Sequence, residues 1–427
     1  MIKSYCTLIC IALLPLFSIA QAPSNSYLIR AGKFYDAEKN VFIKNQEIWI
    51  EGNSIKAVGN KLTVPKGTTI IELPNATVAP GLIDAHTHLL MLQKVDDNIA
   101  IDVLMNSPEY RVLRAAGFAR SYLESGFTTI RDLGNSGKYL DKEVAVAIRR
   151  GFVQGPRMLV SGPILSAMDG QFYQLPQKDQ EAITKSEYRV ISGVQDAIQA
   201  VKEHVNNMVD VIKIVAFGER MGLEMEEMKA IVQTAHQYGL KVTAHANSDN
   251  IIQQVLEAGV DGIEHAYYIS DSSLARMARR GVYMVPTDPS IQAIIDTEEA
   301  QRKKEHDTTE IKKMLQPLTD RLTRARKMGV LIVAGSDAYF DTKSSRGNAA
   351  KQTLAAYWEE GMPVTDILQA ATWNAALALG RKNELGVLRQ GAKADIVVFN
   401  GDLEANFKKT LFDVRMVIKD GKIVHQP

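Results

Sequence analysis

Residues 82–88 read Leu82-Ile83-Asp84-Ala85-His86-Thr87-His88, and the architecture expected of this chain follows from them. The first part has the short apolar character of a strand covered on both faces, while the end carries groups that such packing does not ask for. Side chains alternate along a strand, so His86 and His88 point the same way, with Asp84 one further step back. Two imidazoles so placed form a two-nitrogen claw for a metal, although a pair of histidines in a loop is often simply solvated.

Comparable apolar stretches recur along the chain at residues 127–131, 157–160, 211–215, 241–245, 262–265, 282–285 and 330–334. With residues 82–86 they make eight predicted strands. Helix-like stretches separate them, among them 224–238 and 251–258, each closing at a glycine (Gly239, Gly259) as a C-terminal cap does. Strands and helices alternating over about 300 residues predict an α/β fold. The expected architecture is a (β/α)8 TIM barrel, in which catalytic residues project from the C-terminal strand ends. The competing architecture is a doubly wound open sheet, but no glycine-rich fingerprint follows an early strand.

The two ends of the chain read differently. Residues 27–30, 47–50, 55–58 and 69–71 are short β-like pieces broken by turns. The far end repeats this at 394–399 and 414–418, with Asp420-Gly421 as a hairpin turn before 422–424. Both ends are expected to share one small β-sandwich domain. The domain limits predicted on this basis are 1–20 for a leader, 21–77 and 386–427 for the two parts of the β domain, and 78–385 for the barrel.

The chain has 427 residues, 50 Lys+Arg against 49 Asp+Glu, 46% hydrophobic residues and 2 Cys. This excludes a disordered chain or a disulfide scaffold, and a net charge of +1 leaves no footprint for nucleic acid or an acidic membrane surface. Lys3 and the apolar run at 8–19 predict a signal peptide, cut after Ala20 because Ser18-Ile19-Ala20 places small residues at the two positions that matter. The run is short for a retained membrane anchor. Cys6 and Cys10 both fall within the predicted leader, so the mature chain has no thiol nucleophile, iron–sulfur cluster or disulfide. That suits export to the periplasm or the medium. The expected partner is a small-molecule substrate, and a homo-oligomer is compatible with the composition.

Residues 209–216 read Val209-Asp210-Val211-Ile212-Lys213-Ile214-Val215-Ala216, a lysine inside a β-branched apolar strand. An unpaired buried ammonium costs several kcal/mol, so Lys213 must be paired, deprotonated or chemically altered. One answer is a salt bridge to a carboxylate. The other is an N-carboxylate formed with carbon dioxide, which would bridge two metal ions. Further strand ends carry more ligand-type groups: His245, His265 after Ile263-Glu264, and Asp337 after Gly335-Ser336. Of the 8 histidines, His86, His88, His245 and His265 fall at predicted C-terminal strand ends. His204, His236, His306 and His425 lie elsewhere and are expected to be structural or solvated.

Taken together these segments resemble the amidohydrolase superfamily, within it the imidazolonepropionase-like and Xaa-Pro dipeptidase-like proteins. The matching elements are Pro80-Gly81 with residues 82–88, residues 210–214, Thr243-Ala244-His245-Ala246, Gly262-Ile263-Glu264-His265 and Gly335-Ser336-Asp337-Ala338. Residues 370–376 and 391–397 extend the likeness over essentially the whole mature chain. The resemblance implies a binuclear site with His86, His88 and Asp337 on one ion, His245 and His265 on the other, and carboxylated Lys213 between them. Zinc is the implied metal, with cobalt, manganese or iron able to occupy the same cage. It also implies that a hydroxide held between the ions attacks a polarised carbonyl, with Asp337 as general base and then acid.

The sequence departs from the family pattern around the substrate. Ala216-Phe217-Gly218-Glu219-Arg220 stands where relatives often have paired glycines, Ala246-Asn247 follows His245, and Ser345-Arg346-Gly347-Asn348 lacks a frequent histidine. Tyr173, Arg220, Tyr267, Tyr268 and Arg346 are the candidate substrate contacts, since arginine suits a carboxylate and tyrosine can add a hydrogen bond. Packing or solvation is the alternative for each. The loop Met168-Asp169-Gly170-Gln171-Phe172-Tyr173 is a lid candidate. The expected activity is amide hydrolysis in a small carboxylate-bearing molecule, a dipeptide or N-acyl amino acid. Cyclic amide or lactone opening is the alternative. A non-catalytic scaffold should have lost ligands, and heterocycle deamination generally uses one metal and no modified lysine.

Overall fold

The computed structural model describes residues 25–171, 175–218 and 220–427; the leader expected at 1–20 lies outside them. Strands β1 (Ser26–Asp36), β2 (Val41–Glu51), β3 (Ser54–Gly59) and β4 (Thr69–Pro80) form at the N-terminal side. Their partners from the far end are β14 (Ile396–Phe399), β15 (Val414–Lys419) and β16 (Lys422–His425). All seven make one sheet in the order β16-β15-β14-β4-β1-β2-β3, so the two chain ends share it as expected. Asp420 (φ 48°) and Gly421 (φ 71°) make the tight turn between β15 and β16, with both turn residues left-handed. β14 shows how the sheet is buried on both faces. Ile396 and Val398 enter a core with Ile29, Ile48 and Val78, while Val397 and Phe399 pack into the main core of the chain.

Between these ends lie β5 (Leu82–Thr87), β6 (Phe127–Asp132), β7 (Arg157–Val160), β8 (Ile164–Ser166), β9 (Tyr188–Val190), β10 (Val211–Val215), β11 (Lys241–Ser248), β12 (Gly262–Tyr268) and β13 (Tyr283–Val285). They form two sheets, β5-β6-β7 and β13-β12-β11-β10-β8-β9, in which the paired strands run parallel. Helices separate them, including Met225–Gln237 and Asp249–Ala258, which end before left-handed Gly239 and Gly259 as predicted. The architecture is mixed α/β, with seven of the expected strands in place.

The eighth differs. Residues 330–334 form no strand but a single parallel bridge, Met284 to Ile332. Ala85 N–H donates to Ala334 O and Val333 N–H to Met284 O, both at 2.9 Å, so the segment still lies between β13 and β5. It cannot extend a ladder because the Ala334 N–H turns away to Ala370 O at 3.0 Å. Gly335 follows, where a Cβ would stand 2.4 Å from Val285 Cγ1 and 2.8 Å from His86 Cβ. The pair β8 and β9 was not expected, being only three residues each.

Candidate active site

The six side chains expected to hold metals line one cavity of about 200 Å³: His86 and His88 from β5, Lys213 from β10, His245 from β11, His265 from β12, and Asp337. His86 Nε2 lies 3.3 Å from His88 Nε2, and Asp337 Oδ1 lies 3.5 and 3.3 Å from those two nitrogens. These three residues offer ligand atoms all within 4.8 Å of one another, a group that could hold a metal ion. The His265 ring stands 5.1 Å from that of His86 and 4.6 Å from that of His245.

Hydrogen bonds fix which nitrogen each ring presents. His86 Nδ1 meets Glu264 Oε2 at 2.7 Å, and His88 Nδ1 meets Gly134 O at 2.8 Å. Each partner can only accept, so Nδ1 carries a proton and Nε2 is the nitrogen turned to the other ligand groups. Thr287 donates its hydroxyl to Pro286 O, so it accepts from His265 Nδ1 at 2.7 Å and leaves that ring in the same tautomer. His245 differs, with Nε2 3.2 Å from the side-chain nitrogen of Asn247. Burial holds His86 and His265 well below the ordinary imidazole range and brings His245 down to about 4. Burial also works against the Asp337 carboxylate, but His86 and His88 beside it outweigh that and hold its pKa low. Burial is outweighed at His88, whose pKa is raised by the Asp337 carboxylate beside it, so the site holds three neutral imidazoles and one paired with a carboxylate, a pair whose proton a divalent cation would displace.

Lys213 is buried, and its Nζ has no hydrogen-bond partner among the described residues. Burial pushes its pKa down to about 8. The natural salt-bridge partner would be Glu264, yet that carboxylate is already engaged. Its Oε1 takes Arg131 at 2.8 Å and the Thr243 hydroxyl, and its Oε2 takes His86. Arg131 is bound in turn to Ala85 O at 2.6 Å and the Tyr283 hydroxyl at 2.7 Å. The amine is thus left without a charge partner beside the His86, His88 and Asp337 group that could hold a metal ion.

Backbone geometry gathers these groups. His265 (φ 72°), Ala266 (φ 54°), Thr287 (φ 57°) and Asp337 (φ 51°) are all left-handed, a conformation that costs a non-glycine residue of order 1 kcal/mol or more. In a regular strand Glu264 and His265 would face opposite ways. The reversal at His265 lets both reach His86.

The expected substrate contacts fare unevenly. Tyr267 lines the cavity, with its hydroxyl 3.2 Å from Thr287 Oγ1. Tyr173 lies outside the described residues. Tyr268 is 75% exposed and outside the lining. Arg220 is on an exposed loop whose backbone N–H donates to Asp169 Oδ2 at 2.9 Å. Arg346 is buried over the Phe118 ring, its guanidinium bound to Met91 O at 2.9 Å and to Ala338 O. Those contacts fasten the loop that follows Asp337, which corrects the reading of Arg346 as a carboxylate anchor. Sequence reasoning assigned no role to Glu264, Arg131, Thr287 or Tyr339. A carboxylate and a guanidinium inside buried parallel strands were the available signal for the first two, because buried charges must pair.

A family model described as the amidohydrolase family matches residues 77–424, and the chain belongs to that family. It is a hydrolase acting on carbon–nitrogen bonds. Imidazolonepropionase from Fusobacterium nucleatum is 26% identical over 451 residues, covering 96% of this chain and 98% of that one. The solved structure of a Xaa-Pro dipeptidase with bound methionine in the active site is 26% identical, with a TM-score of 0.80 and coverage of 94% and 100%. A prolidase complexed with N-methylphosphonate-L-proline has the same TM-score of 0.80 at 24% identity, covering 94% and 100%, a likeness of fold. These neighbours imply a TIM-barrel catalytic domain. Among the described residues no helix is long and apolar enough to cross a membrane.

Proposed function

We propose that the protein is a binuclear metal-dependent hydrolase that cleaves an amide C–N bond in a small carboxylate-bearing substrate, a dipeptide or an N-acyl amino acid. What carries this reading is the unpartnered, buried Lys213 amine among imidazoles whose Nδ1 protons are committed elsewhere. His86, His88 and Asp337 would hold one ion, His245 and His265 the other, and Lys213 as its N6-carboxylate would serve both. Imidazole and carboxylate donors suit zinc. When bound, the ions supply the positive charge that polarises a carbonyl and acidifies water. Asp337 is the proton carrier: it takes a proton from water as the new C–O bond forms and gives it to the amide nitrogen as the C–N bond breaks. Glu264, Gly134 O and Thr287 keep three rings aimed inward throughout.

For the frame, we propose that residues 330–334 act as the eighth stave of a closed barrel over 78–385, supported by their bonds to β5 and β13. The core shared by β1, β2, β3, β4, β14 and β15 supports a β-sandwich domain from 21–77 and 386–427. The leader composition supports export. The likeness to imidazolonepropionase favours cyclic amide opening as a second reading.

Metal analysis of the purified mature protein, coupled to a screen of dipeptides and N-acyl amino acids, tests the proposal. The expected result is two metals per chain with amide hydrolysis, and carbon dioxide released on acid unfolding. A metal-free, inert protein overturns it.

A further inference from the structure

A second cavity, of about 300 Å³, adjoins the first and shares Tyr267, Asp337 and Tyr339 with it. Its walls include Pro289, Ala293, Ile294, Ala338, Phe340 and Ala349, and no lysine or arginine lines it among the described residues.

Several of the polar groups in those walls are held by neighbouring protein groups. The Tyr267 hydroxyl pairs with Thr287, itself bound to Pro286 O, and the Ser336 hydroxyl donates to Asp84 Oδ2 at 2.6 Å. Gln352 Oε1 accepts from the Ser290 hydroxyl at 2.7 Å, and the Thr297 hydroxyl donates to Ala293 O at 2.9 Å. The one carboxylate besides Asp337, that of Asp296, accepts from Gln292 at 2.8 Å and Ser344 at 2.9 Å. A charged group entering here would give up water against walls that are largely apolar; no lysine or arginine lines them among the described residues to pair an anion, an anion would also meet Asp296, and the Asp296 carboxylate already holds Gln292 and Ser344. An apolar group would exchange water for Ile294, Phe340 and the neighbouring alanines.

We infer that this cavity selects the amine half of the substrate, and that it takes a bulky, uncharged apolar side chain. The inference rests on the proposed amide hydrolysis, because it is Asp337, at the junction of the two cavities, that hands the proton to the departing nitrogen. The preferred substrates are then N-acyl derivatives or dipeptides releasing an amino acid of phenylalanine or leucine size, and derivatives of glutamate or lysine are excluded.

The test uses the metal-loaded mature chain with N-acetyl-glycine, N-acetyl-L-phenylalanine, N-acetyl-L-glutamate and N-acetyl-L-lysine. Both kcat/KM and calorimetric binding of the four released amino acids are measured. The expected order places phenylalanine ahead of glycine, and ahead of glutamate and lysine by about tenfold or more. Ala293→Phe, which fills the cavity, should reduce the phenylalanine-to-glycine ratio by about tenfold, with circular dichroism reporting whether the variant is folded. Equal values for phenylalanine and glutamate in the unmodified protein overturn the inference, as does a folded Ala293→Phe protein with the ratio intact. If no compound is hydrolysed but the binding order holds, the apolar pocket stands and the amide reading falls. If neither hydrolysis nor selective binding is found, both fall.

Discussion

Within β1–β4 and β14–β16 no charged side chain is buried among the described residues, and the shared core is Ile29, Phe34, Ile48, Val78, Val398 and Ile418. The parallel strands bury Asp84, Arg131, Asp132, Lys213 and Glu264 within their own length. Removing apolar surface from water stabilises at about 25 cal/mol per Å², whereas each buried ion carries a penalty of several kcal/mol before pairing. Packing alone would therefore choose the first pattern everywhere. Where the second occurs, Lys213 lines the cavity that holds four imidazoles and Asp337, with Glu264 bound to His86 behind it and Arg131 bound to Glu264.

The contrast would be tested hardest at Asp337. Asp337→Asn keeps the shape and an oxygen donor but cannot carry the proton, so kcat should fall by about 10²–10⁴-fold while much of the metal stays. Steady-state rates with metal analysis check this, and near-normal turnover would remove the proton-carrier role. Next comes Glu264→Gln, which leaves Arg131 buried beside a neutral amide and loosens the control over His86. It should cost about 3–5 kcal/mol in denaturant unfolding. Metal affinity should fall by about 10–100-fold in a competition titration. Retention of both would show that the carboxylate is ordinary packing.

The smallest effect is expected at the seam between the two regions. Lys351 is fully buried, its Nζ 2.6 Å from Leu411 O and near the Phe399 and Phe412 rings, and burial pushes its pKa down to about 7. Below about pH 7 the amine is protonated folded and unfolded, and the penalty is fully present. Above that the unfolded chain holds a proton the folded one has lost, so stability should rise with pH until the amine also titrates in the unfolded chain. Lys351→Met should flatten this rise, read as unfolding free energies at pH 6.5 and pH 9 in both proteins. An unchanged slope would mean that the amine stays charged in place.

The ligand-type residues were legible because each stands at the end of an apolar strand or, for Lys213, inside one, where alternation and burial make a polar group conspicuous. His86, His88, Lys213, His245 and His265 all reach one cavity for that reason. The groups that orient them were less legible, since Glu264 and His265 both stand beside His86 only because the backbone at His265 is left-handed, which no strand pattern foretells. Arg346 misled because nothing in its local sequence marks the Met91 and Ala338 carbonyls that it binds. Residues 330–334 looked like a full strand by composition, but the hydrogen bond to Ala370 depends on a helix that follows some thirty residues later.

β4 runs almost directly into β5 and the His86–His88 pair, and it is flanked by β1 on one side and β14 on the other. The second flank is supplied by residues 396–399, close to the C-terminus. A nascent chain therefore holds β4 with one open edge until nearly all of it has left the ribosome, and a C-terminal truncation would leave that edge permanently exposed to pairing with another molecule.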